Sequence, residues 1–403
     1  MNKYFDYIII GAGPAGLYAG YRIKQLNPVA SVIILERKSY IGGRTRMFPF
    51  HGHMVNSGAY AIRPEKDYYG MKLLSQFKMN TNPINVKFDH SRVIDADVQQ
   101  MITAIKKEVT QNNAHYNTKF FITSYFGEGF YNSFLDAIGR SDFEFECIKD
   151  TLGHYGLEDN FNNTKLLPVD WNLFCDKLSS NLNIKYNIDI TDIVVNSTSI
   201  TARCYDTTYQ GSKVIIAADI LTIRRLLPGI SLYDTIDYQS FMRIYGVFNI
   251  KGKTIMGKHI KKYTLLSGPL QNIIPVDMSN SWTFEGVPED GMYVIAFADN
   301  GRAQCLTEFM HDTEENRHVL ENMIMKSLNC KGLEGTLMTI RSYYMNPGSH
   351  YYKRNPVNQS RDDFIRETQR PYHNVYVIGE VVSLHQGWVE GALASVENIV
   401  LSL

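Results

Sequence analysis

Gly11, Gly13 and Gly16 stand in the spacing G-x-G-x-x-G, and Glu36 follows 20 residues after the last of them. Glycines at these intervals let a backbone come close to a large anion. The first permits a tight turn, the second leaves room for a pyrophosphate, and the third lets a helix pack closely on a strand. A carboxylate 20 residues further on is placed to accept hydrogen bonds from ribose hydroxyls. Together these residue types can bind a dinucleotide.

They do so only if the flanking elements hold them in place. Tyr4 to Ile10 (YFDYIII) is a short apolar, β-branched run of the kind that forms a buried parallel strand. From Pro14 to about Leu26 the apolar spacing is helical, with Pro14, Ala15 and Gly16 in the first turn. Ser31 to Leu35 (SVIIL) predicts a second buried strand, which Glu36 closes. Strand, glycine turn, helix, strand and terminal acid complete a βαβ unit. The N-terminus of its helix presents free N–H groups and a partial positive charge to phosphate.

The residues after Glu36 narrow the dinucleotide. Arg37 follows directly, and Gly42-Gly43-Arg44-Thr45 comes a few positions later. A Gly-Gly bend brings backbone N–H groups to a cofactor, and the Arg44 fork suits a pyrophosphate. Near the other end, Asn374 to Gly379 (NVYVIG) predicts a further strand ending at Glu380, and Gly387-Trp388-Val389-Glu390-Gly391-Ala392 opens a helical pattern running to Leu401. These segments resemble the fingerprints of the flavin-dependent amine oxidase superfamily, which includes monoamine, polyamine and L-amino-acid oxidases and binds FAD. Two internal stretches fit as well. His53 to Tyr60, ending in Gly58, Ala59 and Tyr60, resembles the segment beneath the flavin ring. Leu182 to Ile193 with Lys213 to Ala217 resembles the strands that return to the FAD domain, which puts Ile190 near the adenine. No motif is recognised between Glu65 and Asp170 or between Thr254 and Ile340.

The resemblance implies an α/β (mixed α+β) fold. A Rossmann-type FAD-binding domain would be discontinuous (1–64, 171–225 and 366–403), and a substrate domain of mixed sheet and helices would come from 65–170 and 226–365. No cysteine lies near the closing motif, so FAD is expected to be non-covalent. Glu380 is expected at the ribityl or phosphate part, and the helix N-terminus at Trp388 and Val389 at the flavin N1/O2 edge, where a fixed dipole stabilises charge gathered on reduction. Trp388 and Tyr352 (or its neighbour Tyr351) are expected as aromatic walls on the substrate side. Arg63 lies two residues from the place where L-amino-acid oxidases grip a carboxylate, and residues two apart on an extended segment share a face.

Arg243, in Phe241-Met-Arg243-Ile-Tyr245-Gly-Val-Phe248, stands where many members carry a lysine that holds a water near flavin N5. Met242, Ile244 and Gly246 alternate with Arg243, Tyr245 and Val247, so Arg243 can face the site while its neighbours pack behind. A guanidinium stays protonated, which makes it a fixed donor and not a base. The implied reaction is oxidation of an amine or L-amino acid to an imine, with O2 reduced to H2O2. Desaturase or mutase chemistry on the same fold stays open, as does an FAD-binding protein with a decayed centre, which Arg243 in place of lysine keeps in play.

Composition sets the outer bounds. The 403 residues carry 41 Lys+Arg and 41 Asp+Glu, so no basic excess marks a nucleic-acid or anionic-membrane partner. With 44% hydrophobic and 20% charged residues the chain has ordinary globular composition. Its five cysteines are scattered, without metal-ligand spacing or a disulfide pattern, as suits reduced thiols in a cytoplasm. No signal peptide is visible, and no apolar run approaches the ~20 residues of a membrane span. The expected partners are therefore a small amine or amino acid and O2. The oligomeric state is open, a homodimer included. Lys66 to Glu108 has helical spacing, and in the aromatic-rich stretch Phe120 to Leu157 the pair Gly127-Glu-Gly129 lacks a third glycine, so no second nucleotide site is expected.

Overall fold

The computed structural model of the chain describes residues 4–79, 82–93, 97–157, 164–205, 207–276, 285–354 and 359–403. The first strand spans Tyr4–Ile10, the helix after it Pro14–Leu26, and the next strand Val32–Leu35. The first strand is central in a seven-stranded sheet. It runs parallel to Val32–Leu35 on one side and to Thr207–Ile216 on the other, in the register Tyr4↔Gln210 to Ile10↔Ile216. The outer edge of Thr207–Ile216 is shared. Its first half pairs antiparallel with Ile200–Cys204, and its last three residues pair parallel with Val375–Val377. In this way the C-terminal segment returns beside the N-terminal one.

Both faces of this sheet are covered, which is why its strands read as unbroken apolar runs. On one face the helices Pro14–Leu26 and Val389–Val400 pack together over Ile9, Ile34 and Ile215. Glu397 ties them, accepting hydrogen bonds from Tyr18 Oη and Arg22 Nε, each at 2.6 Å. On the other face Ile8, Ile10 and Ile216 meet the short helix Ile220–Leu226.

A second sheet of six strands has the order Leu337–Tyr352, Ile236–Phe248, Met292–Asp299, Asn272–Pro275, Tyr263–Leu265, Phe88–Asp89. The alternation read from the sequence is realised in Ile236–Phe248. Met242 and Ile244 pack into a core beneath the helix Glu314–Leu328, while Arg243 and Tyr245 turn to the opposite face. The stretch Lys66 to Glu108 is not continuously helical. It holds helices Tyr68–Gln76 and Val98–Glu108 with short strands Ile84–Val86 and Phe88–Asp89 between them, because the chain there also supplies an edge to the second sheet. Gly127, at φ +85°, kinks the helix Thr118–Ile138. Among the described residues no helix is long and apolar enough to cross a membrane, and all five cysteines are free.

Candidate active site

A cavity of about 880 Å³ runs from the glycine turn to the inner face of the second sheet. At its first end each glycine meets a different constraint. Gly11 has φ +103°, and a Cβ there would fall 2.4 Å from the Ala217 carbonyl oxygen. A Cβ on Gly16 would fall 2.0 Å from the Gly11 carbonyl oxygen. Gly13 differs: a Cβ on it meets no atom within 4 Å and projects toward the cavity that Gly13 lines with Gly11, Pro14 and Ala15. Two glycines therefore hold the turn together, and the third keeps space open. The second glycine pair backs onto this turn. Gly42 N–H donates to the Ala12 carbonyl at 2.9 Å, and a Cβ on Gly43 would sit 3.4 Å from Gly13 Cα.

Glu36, Arg37 and Arg44 at this end are already paired. Glu36 lines the cavity and accepts from Ala12 N–H at 2.7 Å and Lys38 N–H at 2.8 Å, one oxygen to each. A carboxylate offers about four lone-pair sites, so capacity is left for hydroxyl donors. Arg37 faces Asp219 at 3.5 Å, and Ile190 lines the cavity beside Glu36. Arg44 Nη1 donates to Glu380 Oε1 at 2.6 Å and to the Gly348 carbonyl at 3.0 Å. That nitrogen is spoken for by protein, and the bidentate pyrophosphate grip expected of Arg44 is limited accordingly. Thr45 turns its hydroxyl onto the Gly42 carbonyl at 2.9 Å. Gly58, Ala59 and Tyr60 line the cavity, and a Cβ on Gly58 would fall 2.2 Å from the Arg44 carbonyl oxygen.

Glu380 is the hub of this end. Besides Arg44 it meets His350 Nδ1 at 2.5 Å and accepts from Gly387 N–H at 3.0 Å. Ile220 N–H donates to His350 Nε2 at 3.2 Å, which leaves the ring proton on Nδ1 for Glu380. Burial alone would push Glu380 up, yet the His350 ring, Arg44 and the Gly387 N–H hold it well below the usual carboxylate range. Gly379, at φ +124°, sets Glu380 at this angle and lines the cavity with Trp388 and Val389, the residues that open the last helix. His350 carries no motif and was not singled out in the sequence. Only the strand Leu337–Tyr352 brings it under Glu380.

At the second end the groups are side chains. Arg243 pairs in register with Tyr343 on one neighbouring strand and with Phe297 on the other. Phe297 lies between two guanidiniums, Arg140 at 3.6 Å and Arg243 at 4.6 Å from its ring centre. Arg140 Nη2 donates to Tyr263 Oη at 2.9 Å and Nη1 lies 3.9 Å from Asp299. Asp142 accepts from the Tyr155 hydroxyl. Burial raises both Asp142 and Asp299, and Arg140 opposes the shift in each.

Two expected site residues lie elsewhere. Arg63 does not line the cavity. The chain turns after the short strand Ala61–Ile62, and Arg63 fastens that turn, with its guanidinium on Asp67 at 2.6 Å and its N–H on Asp67 Oδ2 at 2.7 Å. Its other face stacks 3.6 Å from the Trp388 ring centre. The two-residue shift thus moved it off the strand face and under Trp388. Tyr352 is buried with Tyr351 next to it and does not line the cavity. Its hydroxyl donates to the Ser383 carbonyl at 2.9 Å, and its ring packs on Phe364 and Arg361. The aromatic residues of that strand that do line the cavity are Tyr343 and Tyr344.

Residues 9–77 match the NAD(P)-binding Rossmann-like domain family. An uncharacterized protein of Acanthamoeba polyphaga mimivirus is 19% identical over 98% of this chain and 93% of its own length. An FAD-containing monooxygenase, EthA of Mycolicibacterium smegmatis, is 32% identical over 15% of this chain and 13% of its own length. Among solved structures, cyclohexylamine oxidase from Brevibacterium oxydans superposes with a TM-score of 0.76 at 11% identity, covering 99% of this chain and 98% of that one. A triple variant of putrescine oxidase superposes with a TM-score of 0.73 at 13% identity over the same shares. The fold, end to end, is that of these amine oxidases.

Proposed function

We propose that the chain is an FAD-dependent oxidoreductase that oxidises a C–H bond beside nitrogen, giving an imine and passing electrons to O2 as H2O2. One observation carries this reading: the open space in front of Gly13 belongs to the same cavity that reaches Arg243. A nucleotide cradle and a polar, aromatic chamber are therefore one compartment. The residues fit FAD. Gly11, Gly13, Pro14 and Ala15 would hold the pyrophosphate, and Glu36 and Ile190 the adenosine end. Arg44 and Glu380 would meet the middle, and Gly58, Ala59, Tyr60, Trp388 and Val389 would enclose the ring. With FAD bound, the hydride acceptor and the route to O2 come from the flavin.

The chain's own groups have the tasks of orientation and charge. The last helix points its first N–H groups at the cavity, and that partial positive charge favours an anionic ring system. Trp388, held flat by Arg63 behind it, forms one wall of the chamber. The absence of a titratable lysine at Arg243 means that no side-chain base at that position takes a proton, so the amine must arrive neutral or lose its proton to water. The same reading divides the chain into an FAD part (1–64, 171–225, 366–403) and a substrate part (65–170, 226–365), working without a covalent flavin link and in the cytoplasm.

The test is anaerobic addition of a panel of amines and amino acids to purified protein, followed by its visible spectrum. Loss of the flavin colour with at least one amine, and its return on admitting air with H2O2 formed, is the expected outcome. A flavin-containing protein that no amine bleaches would contradict amine oxidation.

A further inference from the structure

We infer that Arg243 and Tyr343 form a seat for a carboxylate of the substrate, so that the chain acts on amino acids or other carboxylate-bearing amines and not on diamines. The inference rests on the reading of the cavity as an amine-oxidising site and specifies what its second end takes. Three residues in one cross-strand row, Tyr343, Arg243 and Phe297, face the cavity, because directly opposed residues of antiparallel strands share a face. Behind them the fully buried Met242 and Ile244 fix the strand, so the row cannot turn over.

The two guanidiniums that flank Phe297 differ in one respect. Arg140 is compensated, with Asp299 at 3.9 Å and the Tyr263 hydroxyl at 2.9 Å. Arg243 is the more deeply buried of the two, yet has no carboxylate within ion-pair distance among the described residues. It donates Nη1 to the Asn56 carbonyl at 3.2 Å, which it shares with the neighbouring Tyr245 hydroxyl, itself within hydrogen-bonding reach of the guanidinium, and it faces the rings of Phe297 and Phe241. Its Nε and the Tyr343 hydroxyl are both buried without a hydrogen-bond partner among the described residues. A buried cation without an anion, beside a buried hydroxyl without an acceptor, is costly in the free protein. A two-oxygen anion entering between them would satisfy both at once, which is the geometry a guanidinium fork recognises best.

The surroundings add selectivity. Phe48 stacks on Tyr343 with ring centres 5.7 Å apart, and Phe241 and Phe297 meet edge to face at 5.0 Å. These rings keep water from the seat and favour an apolar group next to the carboxylate. A second ammonium, as in a diamine, would face Arg243 with like charge. The carboxyls of Asp142 and Asp299 are taken by Tyr155, Gln271 and Arg140.

The experiment is calorimetric titration of the purified full chain with 3-phenylpropanoate and with its amide, a ligand of the same shape without charge and without an oxidisable amine. The acid is expected to bind at least about tenfold more tightly than the amide. Arg243→Gln should abolish that preference while leaving the amide within about twofold, and Arg243→Lys should restore part of it. Tyr343→Phe removes only a hydroxyl and should weaken the acid several-fold, so it carries the test if Arg243→Gln does not fold. Equal binding of acid and amide overturns the inference. So does an Arg243→Gln variant whose flavin spectrum changes while its acid preference persists, since the guanidinium then serves the cofactor. Flavin content, measured on the same samples, reports separately on the parent reading: flavin-free protein contradicts that, and flavin-containing protein without acid preference contradicts only this.

Discussion

The two ends of the cavity prepare for a ligand in opposite ways. At the glycine end the groups that face the space are largely backbone, and three of its charges have partners in the free protein: Arg44 with Glu380, Glu36 with two N–H groups, Arg37 with Asp219. At the sheet end the groups are side chains, and one buried cation, Arg243, is left without an anion among the described residues. The first end selects by shape and by the dipole of a helix, so its tolerance is set by where a Cβ fits. The second selects by charge, so its tolerance is set by what neutralises Arg243.

The largest effect should come from separating the glycines. Gly16→Val places carbon 2.0 Å from a carbonyl oxygen inside the turn, and should cost about 3 kcal/mol or more and leave little folded protein. A Cβ at Gly13 meets nothing within 4 Å, so the melting temperature of Gly13→Val without flavin should match the flavin-free wild type within a degree or two while flavin binding is lost. Thermal melts and absorbance on both variants read this directly. If Gly13→Val also unfolds, the space in front of it is structural.

Next in size is Glu380→Gln, which leaves Arg44 and His350 facing a neutral group and should cost about 3 kcal/mol at pH 7. The two ends should also respond to pH with opposite sign. The folded-state pKa of Glu380 is depressed, so its contribution is present above the ordinary carboxylate value of 4.5 and is lost as acid titrates it. Asp299 at the sheet end is raised above its ordinary 3.8 by burial, with Asp142 adding to it. Its native state therefore binds the proton more tightly, and stability falls as pH rises past that value. Melting temperature against pH should thus flatten on the acid side in Glu380→Gln and toward neutral pH in Asp299→Asn.

Trp388→Ala removes a cavity wall and the face on which Arg63 stacks. It should cost about 1–2 kcal/mol of stability and reduce turnover more than FAD content. The smallest effect belongs to Tyr352→Phe, about 1 kcal/mol from the lost bond to the Ser383 carbonyl, with turnover unchanged. A large drop in turnover there would return Tyr352 to the active site.

The same contrast explains what could be read from sequence. The glycine end is local: strand, turn, helix and strand lie within about 30 residues, and a backbone site shows itself as missing side chains, so Tyr4–Ile10 and Pro14–Leu26 were legible to the residue. The placement of Arg243 followed from strand alternation. Its pairing with Tyr343 did not, because strand register between residues a hundred apart leaves no trace in either segment. Arg63 and Tyr352 show the limit of carrying a role by spacing. A turn after Ile62, which Arg63 fastens on Asp67 four residues on, and a packing contact at Ser383 decided their positions; the first overrides strand alternation locally, and the second is not encoded near the residue itself. His350 was missed for the same reason.

The central claim is that the space before Gly13 holds FAD, and the most direct measurement is the flavin released by acid from wild type and from Gly13→Val. One free FAD per wild-type chain is expected, with no flavin left on the peptide, and none from a Gly13→Val protein that melts like flavin-free wild type. Wild-type protein that releases no FAD, or a folded Gly13→Val that keeps a full complement, would contradict it.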